Sequence, residues 1–287
     1  KLKISREKLA WIIDSTASPV AVMIPFIGWG VYIMGLLNAQ IEQLSLNLTD
    51  WNLFMSSLPY FIYPILAVTI VPVIIFSKRE IGPMKKAEIR TLNGQKYWEN
   101  SKPMRSSSTL IKNVENAKPI MVWLPLLVLL VVLFSLLLPL GFPFGAIDGN
   151  GFRVALTTAY FLAAIVMIVL LVIYKVDTIN NVFNMYLNGM SKMVQIIIVL
   201  ILAWSLGAII DKLETANNIA QILDGNGPAF IIPALILIVG AFMSFASGSS
   251  WGTFAVMMPL ESPLGDYFDL PLMLCVGAVI SAGLFGD

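Results

Sequence analysis

The sequence predicts an all-α membrane protein whose chain crosses the bilayer several times in helices. Of its 287 residues, 58% are hydrophobic and only 12% are charged, whereas ordinary soluble domains have about 25% charged residues. Apolar stretches close to the length that spans a bilayer, roughly 17 to 25 residues, recur along the whole chain. Because a backbone inside a bilayer must satisfy its own polar groups, these stretches are expected to be helices.

Seven apolar spans are expected, and a long basic loop separates the chain into a region before it and a region after it. The first region, 1–77, holds a broken helix and two transmembrane helices; a basic loop covers 78–118; transmembrane helices follow in 119–287, with a second broken segment near 246–253. We expect a fragment of a larger membrane protein, because the chain starts at Lys1 rather than Met and stops directly after an apolar run. The spans lie at about 20–37, 53–76, 119–139, 154–174, 193–210, 228–245 and 271–285.

Positive charge is concentrated in the segment 78–118, which contains ten of the 18 Lys and Arg residues and only four Glu residues. Basic loops are retained on the cytoplasmic side of a membrane, so this segment is expected to be a cytoplasmic connector. Counting back places the basic segment 1–8 inside and the segment 40–51 outside, where Glu42 and Asp50 are the charged residues. Since topology accounts for the charge, nucleic acid is not expected as a partner, and the protein is expected in the cell membrane as a multi-pass protein.

The absence of histidine restricts the chemistry that the chain can perform. Histidine is the commonest metal ligand and the usual partner of a Ser or Cys nucleophile. The segment 248–252 matches the G-x-S-x-G nucleophile elbow, but that motif needs a preceding strand and a histidine. The single cysteine, Cys275, is assigned to packing. We therefore expect neither an enzyme nor a bound cofactor.

The first interruption of the apolar pattern lies at 12–20. Polar groups at membrane depth are costly and mark transport pathways. Ser18 followed by Pro19 is typical of an N-cap and a first helical position, so a new helix is expected to start there. A short helix would then end before it and leave the carbonyl groups of Ile12 and Ile13 without helical partners. Besides Ser18, the polar side chains of this interruption are Asp14, Ser15 and Thr16, and these three are the candidate site residues.

The second interruption, 244–253, contains four Ser, two Gly and one Thr between two apolar stretches, and helix continuity is not expected there. Clustered hydroxyls and unwound backbone supply oxygen ligands for a small hard cation, and Ser249, Ser250 and Thr253 are the candidates. In the alternative reading, these hydroxyls bond the preceding helical turn and the small residues serve helix packing. Asp14 likewise has an alternative role as a plain helix cap.

The two interruptions have related flanking sequences, which indicates an internal repeat. Residues 19–25 match 253–259 at four of seven positions, and Ser15 corresponds to Ser249 just upstream. The predicted topology gives the two broken segments opposite directions, as an inverted repeat requires. The acidic segment 261–270 is then expected to be a cytoplasmic loop. A chance match, and a re-entrant hairpin at the second interruption, are the alternatives.

The segments 5–19, 82–90, 246–255 and 283–287 resemble the NhaC-type sodium/proton antiporters of the ion transporter superfamily. The resemblance implies secondary cation transport with inverted repeats and broken helices. Two departures concern the ends: the family's earlier helices precede this chain, and its final motif continues beyond Asp287. The same family includes exchangers of organic acids and amino acids, so the resemblance leaves the cargo open.

The sequence therefore predicts a secondary transporter that exchanges sodium for protons by alternating access, with sodium and protons as the transported species. Without histidine, the proton carrier must be a carboxyl group or a perturbed Lys or Tyr, and desolvated Asp14 is the leading candidate for the group where sodium and proton compete. Asp287 is a second carboxylate of the proposed site.

The alternatives are a cation-coupled exchanger of small organic acids or amino acids, of the malate/lactate type, and a non-transporting scaffold subunit. The expected partners are the lipid bilayer, sodium ions, protons and, in the first alternative, an organic acid, and the sequence also allows an oligomer. The hydroxyl candidates are Ser15, Thr16, Ser249, Ser250 and Thr253.

Overall fold

The computed structural model describes residues 4–77, 80–95, 98, 116–142, 149–223 and 229–286. These residues are largely helical and include no strand, so the predicted all-α class is confirmed. The helices of eight or more residues in this part of the chain are numbered in order: Arg6–Met23 (α1), Gly28–Gln43 (α2), Asp50–Ser57 (α3), Ile62–Ser77 (α4), Gly82–Leu92 (α5), Ile120–Leu137 (α6), Gly149–Ile173 (α7), Ile179–Lys212 (α8), Thr215–Leu223 (α9), Ile231–Ser247 (α10), Ser250–Tyr267 (α11) and Leu272–Phe285 (α12).

Three segments within the described residues are long and apolar enough to cross a membrane alone: Ile120–Leu140, Asn150–Ile173 and Ile179–Ile210. Two bent helix pairs raise the number to five if each pair is one span. The shorter apolar helices α10 and α12 correspond to two further predicted spans. The apolar helices and their lengths identify an integral membrane protein.

The first two predicted spans are bent rather than continuous, which corrects the sequence-based expectation. Arg6–Met23 meets Gly28–Glu42 at 45°, and Asp50–Tyr60 meets Ile62–Ser77 at 51°. Pro25 lies in the first break, and Pro59 lies in the 3-10 turn Leu58–Tyr60 directly before the second. Proline cannot donate the helical N–H bond, so it favours a bend where neighbouring residues accommodate one.

The chain forms two compact units. In the unit of Lys1–Ile33, Ser57–Ser107 and Ile210–Asp287, α1 packs against α4 and α5, while α11 packs against α9, α10 and α12. Glycines permit the close approaches within this unit. A Cβ added at Gly283 would collide with the ring of Phe254, and the Ser244 hydroxyl donates a hydrogen bond to the Gly283 carbonyl.

In the second unit, Met34–Ser56 and Ser108–Ile209, helices α6 and α7 form the main interface. Asp50 is buried at the start of α3 and accepts a hydrogen bond from the Arg153 guanidinium at 3.0 Å. The ring of Trp51 contacts Phe152 at a centroid distance of 5.1 Å. A buried carboxylate with a cationic partner is stable, whereas removal of the partner would leave an uncompensated charge.

The segment 78–118 is more than a connector, because its part α5 is held against the start of α1. The Arg90 guanidinium donates to both carboxylate oxygens of Glu7 at 2.8 and 2.9 Å and lies over the Trp98 ring at 4.6 Å. A planar guanidinium fits a carboxylate with two bonds, which fixes the relative orientation of the two helices. The same segments are joined by the pairs Ser5–Glu88 and Lys8–Glu80.

Candidate functional site

The interruption predicted at 244–253 is present as a break between α10 and α11. Helix α10 ends at Ser247, and Gly248 adopts a left-handed conformation with φ of +62°. Glycine has no Cβ to clash in this conformation, which makes it the usual helix terminator. Ser249 is extended, and its hydroxyl accepts a hydrogen bond from the Gly252 N–H at 3.2 Å. Helix α11 therefore begins with a serine cap directly after the glycine terminator.

Three hydroxyl groups lie within the first turn of α11. Ser250 and Thr253 are buried, and Ser249 is half-buried. The Thr253 hydroxyl donates to the Ser249 carbonyl at 2.9 Å. The last carbonyl groups of α10 carry partial negative charge and suit a cation, whereas the first N–H groups of α11 carry partial positive charge and suit an anion. The interruption thus places groups that can bind either type of ion within a few residues.

Aromatic side chains from the start of α2 cover the start of α11. The Tyr32 hydroxyl donates to the Trp251 carbonyl at 2.9 Å, and the two rings are 4.4 Å apart at their centroids. Trp29 contacts Trp251 at 4.9 Å and Phe254 at 6.2 Å. These aromatic residues were not predicted from the sequence. The helical spacing of three between Trp29 and Tyr32, which places both on one face of α2, was the pattern that could have indicated them.

The first interruption does not occur where it was predicted. Helix α1 continues through Pro19, and it begins at a cap formed by Ser5, whose hydroxyl accepts from Lys8 N–H, rather than at Ser18. The Thr16 hydroxyl donates to the Ile12 carbonyl at 2.6 Å and approaches the Ile13 carbonyl at 3.4 Å. These carbonyl groups are therefore not left free. Membrane helices tolerate an internal proline because Ser and Thr side chains and local adjustments satisfy the affected backbone.

The two predicted halves of the site lie on helices with different principal neighbours. Asp14 is exposed on α1, and Ser15 and Thr16 are half-buried. Helix α1 packs on α4 and α5, and α11 packs on α9, α10 and α12. The structure therefore brings Ser249, Ser250 and Thr253 together but groups Asp14, Ser15 and Thr16 separately. Asp287 lies outside the described residues.

The matched segments 19–25 and 253–259 differ in local structure. The first segment runs from the end of α1 into the bend that follows it, whereas the second lies inside α11, after the interruption. Ser15 is within a helix, and its counterpart Ser249 is a helix cap. The interruptions therefore do not correspond residue by residue, and the inverted repeat stays a prediction.

A buried carboxylate on α11 was missed by the sequence analysis. Glu261 is 0% exposed; one carboxylate oxygen accepts from the Ser262 hydroxyl at 2.8 Å, and the other has no hydrogen-bond partner among the described residues. The expectation of a loop at 261–270 is wrong for its first part, because α11 continues to Tyr267. Packing against the neighbouring helices keeps the segment helical despite Pro259 and Pro263. The missed signal was an acidic residue that directly follows the apolar run 254–260, because a carboxylate next to an apolar helical segment is costly unless it has a function.

Comparison with known proteins shows the family of the chain. The Na+/H+ antiporter family model matches residues 20–287. An uncharacterized protein of Haemophilus influenzae is 27% identical over 301 residues, covering all of this chain and 56% of that protein. The malate-2H(+)/Na(+)-lactate antiporter of Bacillus subtilis is 29% identical over 168 residues, covering 57% of this chain and 34% of that protein. The chain thus spans about half of the first relative's length and about a third of the second's. No solved structure matches it. Since the family match covers most of its length, the chain belongs to the Na+/H+ antiporter family.

Proposed function

We propose that the protein exchanges sodium ions for protons across the cell membrane by alternating access. The observation that carries the proposal is the polar interruption between α10 and α11, two helices that are otherwise apolar. Discontinuous helices in secondary transporters hold coupling ions with unwound backbone carbonyls and half-helix ends. Membership of the Na+/H+ antiporter family supports the same class of transported ions.

The proposed sodium site is built from oxygen atoms at this interruption. Carbonyl groups at the end of α10 and the hydroxyls of Ser249, Ser250 and Thr253 lie within a few residues of one another. Sodium is a hard cation, so neutral oxygen ligands of this kind suit it. Asp14, Ser15 and Thr16 on α1 complete the proposed set if alternating access moves α1 towards α11, and Asp287 is retained as a further candidate carboxylate.

Cation-coupled exchange of a small organic acid is the second candidate function. The Bacillus subtilis relative is named as a malate-2H(+)/Na(+)-lactate antiporter. The start of α11 offers backbone N–H groups and the positive end of a helix dipole, both of which favour a carboxylate. In this candidate, the organic anion would bind at the α11 start and sodium at the α10 end of the same interruption.

Flux measurements on the purified protein in liposomes separate these candidates. A sodium gradient should drive proton movement, reported by a pH-sensitive dye inside the liposomes, without any organic acid. If proton movement requires malate or lactate, and labelled malate or lactate crosses in step with sodium, the second candidate replaces the first. Absence of flux under all of these conditions, from protein that is folded and correctly inserted, would favour the non-transporting scaffold.

A further inference from the structure

Glu261 is one of the residues that line a cavity with apolar walls in the first unit. The cavity has a volume of about 260 Å³ and lies between α9, α10 and α11, with Ile219, Ile236, Val239 and Met257 among its lining side chains. Glu261 is the one lining residue with an ionisable side chain. The carboxyl group itself is buried, so a small ligand could reach its unpartnered oxygen only when the packing around the cavity opens.

No cationic side chain is available to neutralise Glu261 from the helices around it. The sequence contains no Lys or Arg after Lys212, so α9, α10, α11 and α12 carry none. On α12 the one ionisable side chain is the buried Cys275. Helices α9 and α10 contain no ionisable residue, and Asp266 and Tyr267, further along α11, are exposed. An ionised carboxylate buried without a partner is very costly, so Glu261 must meet a cation when it is buried.

The surroundings favour a proton over a metal cation. A sodium ion needs several oxygen ligands. Among the described residues, the side chain that hydrogen-bonds to Glu261 is Ser262, and the other residues that line the cavity are apolar. A proton needs a single oxygen atom. A proton on the unpartnered oxygen would have no hydrogen-bond acceptor among the described residues, so no fixed hydrogen bond holds it there. This favours a proton that can leave when the surroundings of Glu261 change.

We propose that Glu261 is an exchangeable proton-binding site of the transport cycle, protonated when α11 is packed as observed and deprotonated when the cavity admits water. This inference rests on the proposed exchange of sodium for protons. Thr253 and Glu261 are eight residues apart on one helix, which corresponds to about 12 Å. Movement of α11 would therefore change the surroundings of the sodium ligands and of the proton site together. Such a shared rigid element is a physical means of coupling the two fluxes.

Direct detection of the protonated carboxyl group tests the proposal without transport. An apolar carbodiimide reacts with protonated carboxyl groups and can enter the cavity. In the purified protein in liposomes, peptide mass spectrometry should find the adduct on Glu261, decreasing as the pH is raised. The exposed Asp266, on the same helix, is the matched site and should remain unlabelled. No adduct on Glu261 at any pH, or an amount that does not change with pH, would overturn the proposal.

Transport by variants supplies the second measurement. Glu261→Gln keeps the shape and removes the exchangeable proton, so sodium-driven proton movement should fall to the level of empty liposomes, while Asp266→Asn should retain it. Glu261→Asp, which covers the case in which the Gln variant does not fold, should shift the pH profile. A wild-type pH profile in either Glu261 variant would overturn the proposal. If the unmodified protein shows no sodium-driven proton movement, the proposed function fails, and the carbodiimide result still decides whether Glu261 exchanges a proton.

Discussion

Individual hydroxyl groups at the α10–α11 interruption have separable roles. Ser249 acts as a helix cap, whereas Ser250 and Thr253 are buried near the start of α11, where we propose that sodium binds. If they are sodium ligands, Ser250→Ala should weaken the apparent sodium affinity by roughly 10- to 100-fold, as loss of metal-supporting groups does in other sites, with a stability loss near 1 kcal/mol. The control is Ser205→Ala, at an exposed position on α8. Sodium-dependent exchange measured in liposomes decides the matter: unchanged sodium dependence in both Ser250→Ala and Thr253→Ala would assign these residues to packing.

Asp14 is a second test at the residue scale, because its proposed role depends on a change of surroundings. It is exposed on α1 in the structure, and competition between sodium and a proton requires that it be shielded at another stage of transport. Asp14→Asn should therefore abolish sodium-driven proton movement in liposomes, and Asp14→Glu should shift its pH profile. Glu214→Gln, at an exposed position before α9, serves as the control and should behave as wild type. Wild-type exchange by Asp14→Asn would leave Asp14 as a surface residue of α1.

At the scale of helices, the bend between α1 and α2 depends on one glycine. A Cβ at Gly30 would lie 2.5 Å from both the Ile24 carbonyl oxygen and the Pro25 Cα, whereas a Cβ at Gly35 on the same helix would meet no atom within 4 Å. Gly30→Ala should therefore destabilise the protein by about 1–3 kcal/mol through overpacking. Gly35→Ala should be neutral or stabilising by up to about 1 kcal/mol, since alanine favours helix. Thermal unfolding in detergent gives the comparison, and equal stability of the two variants would show that the bend adapts freely.

The helix boundaries also show which features a sequence can predict. The interruption at Gly248 was predictable because a glycine terminator and a serine cap act within a few residues. The bend at Pro25 and the continuity of α1 through Pro19 were not predictable, because a proline can end a helix or lie within one and the outcome depends on tertiary neighbours such as Gly30. Glu261 was missed for the same reason. Whether an acidic residue near a helix end faces water or a cavity depends on how α9, α10 and α11 pack.

At the scale of the whole molecule, charge is distributed very unevenly along the chain. All 18 Lys and Arg residues occur up to Lys212, and none follows it. The basic segments 1–8 and 78–118 meet in the first unit, where α5 is bound to the start of α1 through Arg90 and Glu7. This contact is consistent with both segments lying on one side of the membrane, because α1 would otherwise have to place its first turn on the opposite side from α5. The structure thus adds a spatial argument to a topology that was inferred from charge alone.

The orientation of the chain in the membrane can be tested by labelling introduced cysteines. Asn93, exposed at the end of α5, should lie in the cytoplasm, and Asn47, exposed between α2 and α3, should lie outside. On a Cys275→Ala background, which removes the single native thiol, Asn93→Cys should resist an impermeant thiol reagent added to intact cells and react after lysis. Asn47→Cys should react in intact cells and so serve as the control for reagent access. The reverse pattern would invert the topology, because a basic segment on the outer side contradicts the retention of Lys and Arg in the cytoplasm. It would also reverse the sides from which sodium and protons reach the α10–α11 interruption.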